Sequence, residues 1–213
     1  MDENMKWWGE QALEQTVKAL QKHGMEAAWV ADSQEARHRV LEMIPAGASV
    51  GIGGSITVRQ IGLLSALQES GYTVFQHWQP NITKEERLQI LQSAKSADVY
   101  LSSVNAVTRE GELVNIDMTG NRVSSMIFGP AKVILIVGGN KIVRDVSEGI
   151  WRAKNIATPP NARRLGAKTP CAELGYCTDC DSPGRLCRAV TIIERKPTLT
   201  DLTVILVNEE LGY

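Results

Sequence analysis

Histidine is nearly missing from this chain of 213 residues: His23, His38 and His77 are scattered, with no spacing that links them to a ligand set or to a nucleophile. No catalytic triad is legible, and surface or helix-end positions are expected for all three. Charge of one sign is missing too. With 23 Lys and Arg against 24 Asp and Glu, nothing predicts an electrostatic grip on nucleic acid or an anionic membrane. Long apolar runs are absent: VILIV, Val133 to Val137, is far short of the about 18 residues that would span a bilayer. The opening residues, MDENMKWWGEQ, lack the basic start and apolar core of an export signal, which predicts a cytoplasmic protein. Trp7 and Trp8 are adjacent in the first predicted helix and cannot share a face, so one is expected in the core and the other outside.

Strands and helices alternate along the rest. Leu13, Val17 and Leu20 mark one face of a helix over Lys6 to His23, with Gly24 suited to end it. A strand near Ala27 to Ala31 precedes a helix opened by Asp32 and Glu35, spaced as a capping pair. Ser49 to Ile52 predicts a strand, Gly53-Gly54 a tight turn, and Ser55 the cap of a helix to about Ser70. YTVFQ, a helix from Thr83 to about Ser96, and ADVYLSSV repeat the pattern. A β-hairpin is expected around Glu110-Gly111. AKVILIVGG predicts a central strand buried on both faces, followed by a helix carrying Val143, Val146, Ile150, Ala153 and Ala157 and stopped by Pro159-Pro160. AVTIIER and TDLTVILVN predict two closing strands. The fold class is therefore α/β, a mostly parallel sheet with helices on both faces, plus an inserted β-hairpin and a four-cysteine loop. One domain is expected over 1–213, with 169–188 a metal-binding excursion and 189–213 the closing strands.

All four cysteines lie in TPCAELGYCTDCDSPGRLCR, spaced Cys171-x5-Cys177-x2-Cys180-x6-Cys187. In a reducing cytosol, thiols this close are more often metal ligands than disulfides. Structural zinc favours two short Cys knuckles, and only one C-x2-C is present. The longer flanking loops suit a bulkier centre, an iron–sulfur cluster of the [4Fe-4S] type, with zinc as the alternative. Arg185 and Arg188 would offset the charge of such a cluster, or form a solvated loop face.

Polar residues recur where predicted strands end, the place where open α/β sheets hold ligands. Gly53, Gly54, Ser55 and Thr57 follow one strand; Asn121 and Arg122 follow the hairpin; Asn140 and Lys141 follow the central strand. These eight are the candidate ligand-binding residues, with Arg122 and Lys141 supplying positive charge for an anionic group. Each also has a plainer explanation, since Gly, Asn and Asp make turns. Asp117 is the candidate general base.

The segments VGIGGSITVRQIGLL, SVNAVTREGELVNIDMTGNRVSSMIFGP and VILIVGGNKIVRD together resemble the lactate-utilisation (LUD) domain family, from about Glu14 to Arg195. That resemblance implies the fold of ribose-5-phosphate isomerases, glucosamine-6-phosphate deaminases and CoA transferases, with Gly53, Gly54, Ser55 and Thr57 matching their ligand-binding glycine loop. It also implies a link to systems that oxidise L-lactate to pyruvate, and the presence of the four-cysteine motif in a subset of stand-alone members. The resulting expectation is an iron–sulfur redox component acting on lactate or a related organic acid, with a small anionic organic or phosphorylated ligand and a redox partner protein. Two alternatives stay open: an isomerase-like or acyl-transfer enzyme on a phosphorylated or CoA-linked substrate with structural zinc, and a non-catalytic ligand-binding or assembly subunit, in either case as monomer or oligomer.

Overall fold

The structure is a computed structural model describing residues 2–213. Six parallel strands form the main sheet in the order β1 (Glu26–Val30), β10 (Asp201–Val207), β7 (Lys132–Gly138), β4 (Val99–Ser102), β2 (Ser49–Ile52), β3 (Thr73–Phe75). The expected centre is in place: β7 lies between β10 and β4, and its residues from Val133 to Val137 are fully buried. Strand alternation divides them between two cores. Ile134 and Ile136 face a layer with Val40 of α2 (Ser33–Met43), Val58 of α3 (Ile56–Gln60) and Leu67 of α4 (Leu63–Glu69). Val133, Leu135 and Val137 face the other, with Leu13 and Leu20 of α1 (Glu3–Lys22), Ala94 of α5 (Lys84–Lys95) and Met126 of α6 (Asn121–Ile127).

Glycine is required where a helix backbone meets the sheet. A Cβ on Gly51 of β2 would stand 2.2 Å from the Ala94 carbonyl oxygen of α5. The helix predicted from Ser55 to Ser70 is broken in two, because Gly62 takes a left-handed φ of 74° between α3 and α4. Trp7 and Trp8 both lie outside, 61% and 53% exposed. The expected burial of one fails, since α1 buries its Leu13, Thr16 and Leu20 stripe and both tryptophans precede it. Arg109 instead stacks its guanidinium 5.9 Å from the Trp8 ring centre.

The predicted hairpin exists, with β5 (Ala106–Thr108) antiparallel to β6 (Leu113–Asp117), but it belongs to a second four-stranded sheet ordered β8-β5-β6-β9. The two C-terminal strands therefore part company. β9 (Ala189–Ile193) pairs antiparallel with β6 in the small sheet, while β10 enters the main sheet between β1 and β7. β8 (Ile142–Val143) completes the small sheet.

Pro159-Pro160 do not stop the helix that follows. α7 (Val146–Arg152) passes through a π turn, Ala153–Ala157, into α8 (Thr158–Arg164), with the prolines at its first positions. Proline lacks the N–H that an unbroken α-helix needs, and the wider turn accommodates the loss. The Thr158 N–H and hydroxyl both donate to the Ala153 carbonyl across that turn.

Candidate functional site

The carboxyl ends of β2, β3, β4 and β7 open onto a crevice of about 230 Å³, walled on the far side by Ile116 and Asp117 of the second sheet, by Asn105 just before β5, and by α8. Short loops leaving each strand set the floor. β4 runs on into Ser103, and β7 turns through a single 3₁₀ turn, Gly139–Lys141, which aims Lys141 back under the crevice.

Lys141 is 3% exposed, and its Nζ donates to Thr57 Oγ1 and Ser103 Oγ, each at 3.0 Å. Burial, reinforced by the charges of Arg152 and Arg122, lowers its ammonium from 10.5 to about 7. Thr57 is itself buried and donates to the Leu211 carbonyl. The backbone at Gly212, at φ 66°, passes so close that a Cβ there would lie 2.5 Å from Thr57 Oγ1 and 3.0 Å from Lys141 Nζ.

Arg122 and Asp117 meet as a buried pair at 2.6 Å. The guanidinium also donates to the Ser103 and Ile116 carbonyls and to the Asn105 and Asn115 side-chain oxygens, so all five N–H groups are engaged. It ties β6, α6 and the β4 loop together and presents no free fork to a ligand. Asp117 is spoken for as well: Arg122 holds one carboxylate oxygen and the Val123 N–H donates to the other. The carboxylate anchors Arg122 in place of standing free as a base.

Of the other candidates, Gly54, Ser55 and Asn121 line the crevice with Thr57. Gly53 and Asn140 do not. Gly53 lies against Tyr100 Oη and Ser102 Oγ, each 2.8 Å from where a Cβ would sit, so its role is close packing. Asn140 turns away and accepts from the Leu211 N–H at 3.1 Å, pinning the C-terminal segment.

Three crevice residues escaped notice in the sequence because they sit in unrelated segments. His77 follows β3, Arg87 lies on α5 and Arg164 on α8. His77, expected at the surface or a helix end, is part of the wall. Burial first, then the Arg87 and Arg164 charges, lower its imidazolium from 6.5 to about 4. Arg87 and Arg164 are solvent-exposed and line the mouth. Arg152, also buried, donates to the Asn140 and Asn105 carbonyls and stiffens the wall.

Cys171, Cys177, Cys180 and Cys187 line one small, mostly apolar cavity of about 20 Å³. Cys171 comes from α9 (Pro170–Leu174) and the other three from the loop that follows. All four are free thiols. Three of the sulfurs have hydrogen-bond partners: Thr169 Oγ1 at 3.4 Å from Cys171, the Asp179 N–H at 3.4 Å from Cys177, and Thr158 Oγ1 at 3.6 Å from Cys187. Arg185 grips the loop by donating to the Cys180 and Cys187 carbonyls and pairs with Asp179, which Lys154 also reaches. Arg188 instead donates to loop carbonyls of Arg185 and Pro183 and does not line the cavity. Among the described residues no group of three or more His, Cys, Asp or Glu is set to hold a metal ion. The donor set itself, four thiols on one apolar cavity with hydrogen bonds at sulfur and cations beside it, fits a thiolate-ligated cluster.

Thr158 and Leu186 line both the thiol cavity and the crevice, so the two are neighbours. No helix among the described residues is long and apolar enough to cross a membrane.

A crystal structure of a DUF162 family protein from Deinococcus radiodurans superposes with a TM-score of 0.54 over 94% of this chain and 98% of that one; at 17% identity the likeness speaks for the fold. No curated protein matches the chain. The family model for the LUD domain matches residues 13–207, nearly the whole α/β architecture and both sheets, and the chain belongs to the LUD domain family.

Proposed function

We propose that this LUD-domain protein is a redox component for lactate or a related small organic acid, with the acid in the crevice over Lys141 and an iron–sulfur centre held by Cys171, Cys177, Cys180 and Cys187. One observation carries this: Thr158 and Leu186 belong to both cavities, so a centre among the thiols stands one side chain away from a ligand in the crevice. When bound, the cluster supplies one-electron transfer. The chain does the rest. Lys141 provides a positive or proton-bearing Nζ at the crevice floor, Arg87 and Arg164 attract the carboxylate at the mouth, and neutral His77 offers a hydrogen bond. Thr158 and the Asp179 N–H set the polarity around the sulfurs.

The test is anaerobic purification followed by absorption spectroscopy and iron, sulfide and zinc analysis, repeated on Cys177→Ser and Cys180→Ser. Brown protein with iron and acid-labile sulfide, lost in both variants, supports the proposal. Colourless protein carrying one zinc overturns the redox role and leaves the crevice as the place of chemistry.

A further inference from the structure

We propose that Lys141 is a covalent residue of the crevice, its amine condensing with the carbonyl carbon of a short 2-oxo acid to form an imine. This rests on the crevice being the site of a small organic acid; it does not depend on the metal held by the thiols.

The side chain is placed for this role and poorly placed for a structural one. Buried lysines are ordinarily paired with a carboxylate, because an uncompensated ammonium costs several kcal/mol. Lys141 has none: among the described residues it makes no ion pair, and its Nζ is held by the Thr57 and Ser103 hydroxyls alone. The charges nearest in effect, Arg152 and Arg122, are both cationic and oppose protonation. An ammonium lowered to about 7 leaves a substantial share of neutral amine near neutral pH, and the neutral amine is the form that attacks carbonyl carbons.

The surroundings select the substrate class. Arg87 and Arg164 line the same crevice, and a pair of guanidinium groups there calls for a carboxylate. A space of about 230 Å³ suits a small molecule, since a cavity of roughly 150 Å³ already holds one benzene ring. An amine for a carbonyl and guanidinium for a carboxylate, in a crevice of small-molecule size, describe a short 2-oxo acid.

The step balances without any oxidant. The Nζ lone pair forms the N–C2 bond, the two protons leaving Nζ pass to the carbonyl oxygen, and that oxygen departs as water as the C=N bond forms. The Thr57 and Ser103 hydroxyls, each 3.0 Å from Nζ, are the groups that can carry those protons. Protonation of the imine then draws electrons from C2 and activates its neighbouring bonds.

Incubation with glyoxylate or pyruvate and cyanoborohydride, followed by intact mass and peptide mapping, tests this on the full chain. A single reduced adduct on Lys141, lost in Lys141→Gln and in the charge-retaining Lys141→Arg while thermal melting stays cooperative, is expected. Equilibrium dialysis of the same acids runs in parallel, on wild type and on Cys177→Ser. Adducts on exposed lysines only, or none, overturn the imine, and binding in the dialysis then still leaves the crevice as the acid site. Neither binding nor adduct overturns both. An adduct that persists in Cys177→Ser supports the lysine chemistry whatever the thiols hold.

Discussion

Lys141 Nζ and Thr57 Oγ1 stand 3.0 Å apart although 84 residues separate them, and each is almost fully buried. The contact joins the 3₁₀ turn after the central strand to the first turn of α3, and it places the least solvated charge of the crevice at its floor.

The first prediction concerns pH. The Lys141 ammonium titrates near 7 in the fold against 10.5 when unfolded. Between those values the unfolded chain holds the extra proton, so stability rises with pH, by on the order of 1.4 kcal/mol per unit. The burial cost is complete below about 7 and gone above about 10.5. Lys141→Met should therefore be more stable than wild type at pH 6, with the advantage shrinking by pH 9, in urea melts at several pH values. A constant difference across that range would contradict it.

His77 gives a curve of the same direction at lower pH. Its imidazolium lies at about 4 in the fold and 6.5 outside it, so the neutral form's stability is present above 6.5 and lost as pH falls through about 4. NMR titration of the ring should find a midpoint near 4. Arg87→Gln should raise it only part of the way, because burial is the larger cause.

Arg122→Gln should destabilise the fold by about 3–5 kcal/mol, since it leaves the Asp117 carboxylate buried and unpaired. Denaturant melts measure this directly. Arg122→Lys should recover little, because one ammonium cannot reach the five acceptors that the planar fork spans. Full stability in Arg122→Lys would mean that those acceptors find other partners.

Two glycines separate packing from conformation. Gly51→Ala drives a Cβ to 2.2 Å from the Ala94 carbonyl and should cost roughly 3 kcal/mol or leave the chain unfolded. Gly71→Ala meets nothing within 4 Å but sits at φ 76°, and should cost only about 1–2 kcal/mol. Equal losses in the two thermal melts would rule out the close approach of α5 to β2.

Much of the architecture could be read from local pattern. Unbroken apolar runs such as Val133 to Val137 mark strands covered on both faces, and caps such as Thr83 with Glu86 mark helix starts, because both signals depend on neighbours in sequence. Pro159-Pro160 misled for the same local reason: the pair breaks an α-helix, but not one that widens to a π turn closed by Thr158. Trp7 and Trp8 have the volume of core residues, yet α1 buries only the stripe that begins after them.

The site was legible in part. Ser55, Thr57 and Lys141 could be found because turns at strand ends bear their own signature, and the four cysteines because they cluster in the chain. His77, Arg87 and Arg164 could not, as no local signal links three segments that only the tertiary fold brings to one crevice. Asp117 and Arg122, five positions apart, looked like free functional groups; only folding shows that they satisfy each other.

The sequence by itself determined the alternation of strands and helices, the buried centre at β7 and the gathering of four thiols, since hydrophobic period and residue spacing act over a few neighbours. Tertiary structure decided which charges stay unpaired, that β9 and β10 join different sheets, and that the thiol cavity shares Thr158 and Leu186 with the crevice. Pairing and burial of charge are properties of three-dimensional neighbours, and those are set by the packing of the whole chain.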